Sequence, residues 1–311
     1  MAQFGAATTG REVVAAFPER VKDKHLLVLI TGPSPNGIGS ATAYALATES
    51  PRTLILLARS QARVKFIETD LASMGSVRKA TEAILAGEDI TAIDTLFNNA
   101  GIITNDLART PDGFESQFAI DHLSHFLLTN MLMPRLLTSS SPRVVNISSL
   151  GHKYYEPTFQ DPHFNSIEPE SYSPAEAYAQ SKGAQVLFSV GLNERYAQKG
   201  LRSFAVHPGN MDSGMYNHMR PEVLVDMAQR ITGRSLEDAN EALTKTAEGG
   251  CATGITVALA PDLADGVFMN DCQVTKDPEF VAAWAQDAGK AEVCWRVSEE
   301  AVGQRSTIDL A

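Results

Sequence analysis

Short apolar runs alternate along the chain with longer stretches in which apolar residues recur every three or four positions. The first pattern is that of strands buried on both faces, the second that of helices with one apolar stripe. Their alternation predicts an α/β fold, a Rossmann-like doubly wound parallel sheet flanked by helices. Strands are expected at 26–31, 53–58, 64–68, 94–98, 143–148 and 202–207, with a short one near 267–269. Helices are expected over 37–48, 76–85, 113–137 and 174–198, and the chain after Gly209 reads as mostly helical. No repeat, low-complexity tract or linker interrupts the pattern, so one domain over 1–311 is expected. Its cofactor-binding part would run over about 24–207 and its substrate-binding and C-terminal part over about 208–311.

One junction breaks the pattern. Only residues 60–63 separate the second and third strands. A parallel crossover normally takes a dozen or more residues, usually a helix. Four residues reach at most about 18 Å, while a five-residue strand is itself about 17 Å long. Either the crossover helix is missing here, or the third strand pairs differently. With the helix missing, apolar surface near Leu54 and Leu57 would be uncovered and hidden in a homodimer.

Composition narrows the class. With 44% hydrophobic and 20% charged residues, the chain is neither disordered nor a membrane bundle. A net charge of −11 argues against a nucleic-acid partner. No apolar run approaches the ~20 residues that span a bilayer, and the N-terminus lacks a signal-peptide pattern. Cys251, Cys272 and Cys294 show no metal-ligand spacing, so free thiols in a reducing, cytoplasmic setting are expected and no metal is.

Between the first strand and first helix stands Thr31-Gly32-Pro33-Ser34-Pro35-Asn36-Gly37-Ile38-Gly39. Glycines in such a turn let the backbone approach a pyrophosphate, which a helix N-terminus favours. Gly32, Ser34, Asn36, Gly37, Ile38 and Gly39 are the candidate contacts. The second strand ends Leu57-Ala58-Arg59 with no carboxylate, and a guanidinium suits a ribose 2′-phosphate. NADP(H) is therefore favoured over NAD(H). Asp70 and Leu71, after the third strand, are placed to meet an adenine.

The densest chemical signal lies further on. Asn146-Ile147-Ser148-Ser149 is followed, 29 residues past Ser149, by Tyr178-Ala179-Gln180-Ser181-Lys182. Tyr178 and Lys182 fall one helical turn apart on one face. A hydroxyl, a phenol and an ammonium so gathered can polarise a carbonyl and exchange its proton. A nearby cation stabilises phenolate, which a phenol of ordinary pKa ~10 needs to act near neutrality.

Taken together, these residues resemble the classical short-chain dehydrogenase/reductase family from about residue 11 to about 303. The stretches Phe118-Ala-Ile-Asp-His122-Leu-Ser-His125, Val145-Asn-Ile-Ser-Ser149, Ala177-Tyr-Ala-Gln-Ser-Lys182 and Val206-His-Pro-Gly209 are similar to its retinol-dehydrogenase-like branch. Asp271-Cys272 and the 298–303 stretch resemble fungal members. The resemblance implies that Ser149 orients the substrate oxygen and that Tyr178 is the general acid or base. It implies that Lys182 holds the nicotinamide ribose. Asn98, Asn99, Ala100 and Gly101 would close the cofactor floor. Pro208, Gly209, Met211 and Ser213 would lie along the nicotinamide, with Ser213 at its carboxamide. The expected partner is a small, fairly apolar carbonyl or alcohol substrate.

Two further departures from the family join the missing crossover helix. Four residues, not three, separate Gly32 from Gly37. The family's helix asparagine, fourth of its catalytic group, is Asp121 here, which cannot donate when ionised and would attract Lys182 away from Tyr178. These departures motivate a second reading, a non-catalytic scaffold that binds a dinucleotide or nothing. A third keeps the pocket for non-redox proton transfer, as in an isomerase or cyclase. Ser148 reads as structural. His122, His125 and His152 read as packed residues rather than metal ligands. The 154–171 loop, with Tyr154, Tyr155 and Phe159, and residues 211–235 are expected to wall a substrate site.

Overall fold

The computed structural model describes residues 4–21, 27–51, 53–58, 65–211, 214–242 and 244–305. Eight strands form one sheet: β1 (Leu27–Thr31), β2 (Thr53–Ala58), β3 (Lys65–Glu68), β4 (Thr95–Asn98), β5 (Arg143–Ile147), β6 (Arg202–His207), β7 (Phe268–Asn270) and β8 (Gln273–Val274). Their order is β3-β2-β1-β4-β5-β6-β7-β8, parallel throughout except for the β7–β8 hairpin. The helices are α1 (Gly10–Ala16), α2 (Ile38–Ala47), α3 (Met74–Ala86), α4 (Ser116–Phe118), α5 (Ser124–Leu136), α6 (Pro174–Tyr196), α7 (Pro221–Thr232), α8 (Leu236–Glu241), α9 (Ala247–Leu259) and α10 (Ala288–Val302). None of the described helices is long and apolar enough to cross a membrane.

β4 and β5 are buried along their whole length, as central parallel strands must be. Successive side chains serve opposite cores. On β2, Ile55 and Leu57 pack with α3, α5, α6 and α10, while Leu56 packs with α1, α2 and α9. The chain runs outward from β1 through β2 to β3, then returns to β4 on the other side of β1. That reversal opens a crevice at the C-terminal ends of β1 and β4, the usual ligand position of an open α/β sheet.

The short junction is explained by register. β3 is parallel to β2, and Lys65 pairs with Ile55 while Glu68 pairs with Ala58. The chain therefore runs back only three residues, about 10 Å, before starting β3. Residues 59–64 lie outside the described residues; six are fewer than the dozen or more that a helical crossover takes. The apolar strip expected on β2 is not uncovered. Ile55, Leu56 and Leu57 are buried within the single chain and Leu54 is half-buried, so this argument for a homodimer falls away.

The long helix expected over 113–137 is broken. α4 and α5 are joined by a π-helical turn, Ala119–Leu123, with Asp121 at its centre. The Asp121 carbonyl accepts from the Gln185 amide and from the His125 ring, 3.0 Å away. Side chains inserted into the backbone ladder open a helix in this way. At the far edge, Asp271 and Cys272 both adopt left-handed φ, 47° and 62°, which closes the tight β7–β8 turn.

Candidate active site

A cavity of about 820 Å³ occupies the crevice. Its floor is the glycine turn. Ser34 N–H bonds to the Gly32 carbonyl at 2.9 Å and Gly37 N–H to the Ser34 carbonyl at 3.1 Å. The additional residue is absorbed by Asn36, whose φ of 60° is a conformation asparagine tolerates. Gly37 begins α2 with no side-chain cap, so the orphan N–H groups of the first turn are left for a ligand. Such a terminus, opening on a cavity this size, fits a dinucleotide phosphate.

Gly32 has φ of +62°, and a Cβ there would stand 2.8 Å from Ala100 Cα. Gly32→Ala is therefore expected to destabilise the fold by more than about 1 kcal/mol, read by urea denaturation. A variant with unchanged stability would show that turn and Ala100 are not pressed together.

Most of the expected cofactor residues line the cavity: Gly32, Ser34, Gly37, Ile38, Asp70, Leu71, Ala100, Gly101, Pro208, Gly209 and Met211. Three do not. Asn36 shapes the turn from its exposed outer side. Gly39 is buried, and a Cβ there would stand 2.6 Å from Asn99 Nδ2 and 2.9 Å from the Gly32 carbonyl oxygen, so its part is to let α2 pack closely. Asn98 is buried one residue too early; its amide donates to Asn146 Oδ1 at 2.8 Å and Thr129 Oγ1 at 3.0 Å, tying β4 to β5 and α5. Asn99 lines the cavity instead. Arg59 and Ser213 lie outside the described residues.

Ser149, Tyr178 and Lys182 converge on one wall. Ser173 caps α6 by accepting from Glu176 N–H, with Pro174 in the first turn, and this sets the helix that carries Tyr178 and Lys182. Ser148 Oγ donates to the Lys182 carbonyl at 2.8 Å, a structural tie from β5 to α6. Ser149 Oγ accepts from Gly151 N–H at 3.0 Å, which leaves its own proton free to donate. Burial raises the Tyr178 pKa, Asp121 raises it further, and the Ser149 bond opposes both.

Lys182 Nζ is 3.2 Å from Asp121 Oδ2, donates to the Ile147 carbonyl at 3.3 Å and lies 5.6 Å from the Tyr178 ring centroid. Two of its three donors are thus engaged among the described residues. Asp121 does not reach the cavity; it is fully buried behind Lys182. Its carboxylate also accepts from Ile102 N–H at 2.8 Å and Ser181 Oγ at 3.2 Å. Burial nonetheless holds the Asp121 carboxyl above the ordinary range, with Lys182 pulling the other way.

All three histidines read as packed are buried. His122 bonds to Ser298 Oγ at 2.7 Å among aromatic rings. His125 joins the Asp121 carbonyl to Thr31 Oγ1 at 2.8 Å, and Thr31 Oγ1 accepts from Asn99 N–H and Ala100 N–H, each at 2.9 Å. No described group of His, Cys, Asp or Glu is placed to hold a metal.

Ile103, Thr104, Met215, Tyr216 and His218 also line the cavity. Behind them lies an apolar cluster including Met219, Val223, Leu224 and Met227. From the 211–235 segment, Met211, Gly214, Met215, Tyr216 and His218 line the cavity. The 154–171 loop does not: Phe159 turns into the main core, and Tyr154 packs against the α7 cluster. Tyr216 brings a second phenol to the cavity, and burial raises its pKa. Sequence reasoning passed it over, because no motif surrounds it.

The chain is similar to known proteins over most of its length. The short chain dehydrogenase family model matches residues 26–160. The chain is 36% identical over 273 residues to the short-chain dehydrogenase/reductase prx1 of Penicillium roqueforti, covering 82% of this chain and 76% of that protein. It is 34% identical to human retinol dehydrogenase 12 over 297 residues, 90% of this chain and 87% of that one. A solved structure of an uncharacterized protein from Mycobacterium paratuberculosis superposes with a TM-score of 0.69 at 30% identity, covering 94% and 99% of the two chains. Identity at this level across nine-tenths of the chain exceeds what a shared fold brings, and the chain belongs to the short-chain dehydrogenase/reductase family, as a retinol-dehydrogenase-like oxidoreductase that uses a nicotinamide dinucleotide.

Proposed function

We propose that the protein reduces a carbonyl, or oxidises the matching alcohol, on a small apolar molecule, with NADP(H) as the hydride carrier. The observation that carries this reading is the convergence of Ser149, Tyr178 and Lys182 on the wall of a cavity whose far floor is an uncapped helix N-terminus. Bound nicotinamide would supply or accept the hydride. The chain's own part is to hold the substrate oxygen between the Ser149 and Tyr178 hydroxyls and to move one proton. In reduction the oxygen takes that proton from Tyr178 Oη; in oxidation Tyr178 removes it. Lys182 would use its remaining donor on the ribose and its charge on the phenolate.

Preference for NADP(H) rests on the end of β2. Leu57 and Ala58 line the cavity without a carboxylate to bind a ribose 2′-hydroxyl, and Arg59 follows in sequence. An apolar substrate is supported by Ile103, Met215 and the methionine-rich cluster behind them. It is supported too by relatives named for retinol, itself an apolar alcohol.

NADPH carrying deuterium at C4, incubated with a panel of ketones and aldehydes, is expected to yield alcohols one mass unit heavier. Product that forms without the label would move the reading to proton-transfer chemistry. No product and no NADPH binding at millimolar concentration would favour a scaffold.

A further inference from the structure

His152 lies fully buried in the short helical segment Leu150–Tyr154 that follows Ser149. Both its ring nitrogens are engaged, on distant parts of the chain. Nδ1 lies 2.6 Å from the Ser149 carbonyl oxygen. Nε2 lies 3.1 Å from the Ala282 backbone nitrogen. A carbonyl oxygen can only accept and an amide N–H can only donate. The ring is therefore neutral, with its proton on Nδ1. Burial favours the same state, pushing the ring down to about 4.

The segment on the far side of this ring also touches the other half of the site. Trp284 stands 6.1 Å from the His152 ring, with Phe268 at 5.3 Å. The same indole covers Gly183, the residue after Lys182, where a Cβ would stand 2.6 Å from it. Ala282 to Trp284 thus rest on both the serine loop and the tyrosine-lysine helix. Ser149 itself is held at two points. Its Oγ accepts from Gly151 N–H, and its carbonyl accepts from the His152 ring and, at 3.2 Å, from the His152 N–H. Without the ring, the carbonyl keeps only the longer bond and Ala282 N–H loses its buried acceptor.

We propose that His152 is a positioning residue, whose Nδ1–H fixes the Ser149 backbone, and so aims the Ser149 hydroxyl, while its Nε2 anchors that loop to the C-terminal segment at Ala282. The proposal rests on the reading of Ser149 as the group that orients the substrate oxygen. It adds a residue that touches neither substrate nor cofactor.

Three substitutions separate positioning from packing. The amide of His152→Asn can reach the Nδ1 position and donate to the Ser149 carbonyl. That of His152→Gln reaches the Nε2 position and serves Ala282 but not Ser149. His152→Ala serves neither. His152→Gln and His152→Ala are expected to lower kcat about tenfold or more, with KM and NADPH affinity within about twofold of wild type. His152→Asn is expected to retain kcat within about threefold, although its melting temperature falls as far as that of His152→Gln. Equal kcat losses in the Asn and Gln variants would reduce His152 to a packing residue and overturn the proposal. An ¹⁵N-histidine NMR spectrum of the cofactor-free protein tests it independently of any substrate. A neutral ring protonated on Nδ1 supports it; a ring protonated on Nε2 overturns it, whatever the outcome of the carbonyl assays.

Discussion

Replacing Tyr178 with phenylalanine is expected to cut turnover by about 10²–10⁴-fold while NADPH still binds. Only the phenol oxygen is lost. The ring remains buried among Ile103, Ala175, Met219 and Met227, so neither the cavity wall nor α6 has reason to move. Burial and the Asp121 charge both raise the Tyr178 pKa, which makes it a phenol, not a phenolate, at neutral pH. That is the state from which a proton is given to a carbonyl oxygen. Reduction should accordingly be supported through neutral pH and fail on the alkaline side, as pH rises through the raised value. Oxidation should rise over that same alkaline range. Fluorescence titration of NADPH and single-turnover reduction measure the two halves of this expectation. Turnover within tenfold of wild type in Tyr178→Phe would remove the proposed proton donor.

The serine, the tyrosine and the lysine were legible in the sequence because each sits in a short motif whose spacing is enforced locally. Tyr178 and Lys182 share a face through helical period alone. The strand pattern was equally local, and β2 and β6 lie where alternation put them. The residues that hold the site together were not legible, because their partners are far along the chain. His125 meets Thr31 across 94 positions, and His152 meets Ala282 across 130. No period or motif encodes such contacts.

Two misreadings have definite physical causes. A 3.6-residue period over 113–137 predicts one helix, because side-chain periodicity does not register a backbone carbonyl captured by Gln185 and His125. The missing crossover helix implies an uncovered strip on β2, but the two cores take it up, Ile55 and Leu57 on one face and Leu56 on the other. Pairing of β3 with β2 begins at Ile55, a register that sequence length cannot reveal. Glu115 was missed for a third reason. It caps α4 by accepting from Gln117 N–H at 2.8 Å and Phe118 N–H at 2.6 Å, a role more often filled by Ser, Thr, Asp or Asn.

Asp121→Leu is expected to destabilise the protein by about 3–5 kcal/mol, because it leaves the Lys182 ammonium, 3% exposed, without its carboxylate. Asp121→Asn should cost less. Its amide oxygen still accepts from Ile102 N–H, whose bond to the carboxylate is 2.8 Å, while the acceptor facing Lys182 and Ser181 is lost with the charge. The charge has a separate effect on the chemistry. Asp121 raises the Tyr178 pKa, and it engages the lysine that would lower it. Neutralising Asp121 should therefore move the alkaline limb of alcohol oxidation to lower pH and speed oxidation near neutrality. Carbonyl reduction should begin to fail at lower pH in the same variant. Guanidinium melts of the two variants and pH–rate profiles of Asp121→Asn read these effects separately. Stability of both variants equal to that of wild type would deny the charge a structural part, and an unmoved alkaline limb would show that it does not reach the phenol.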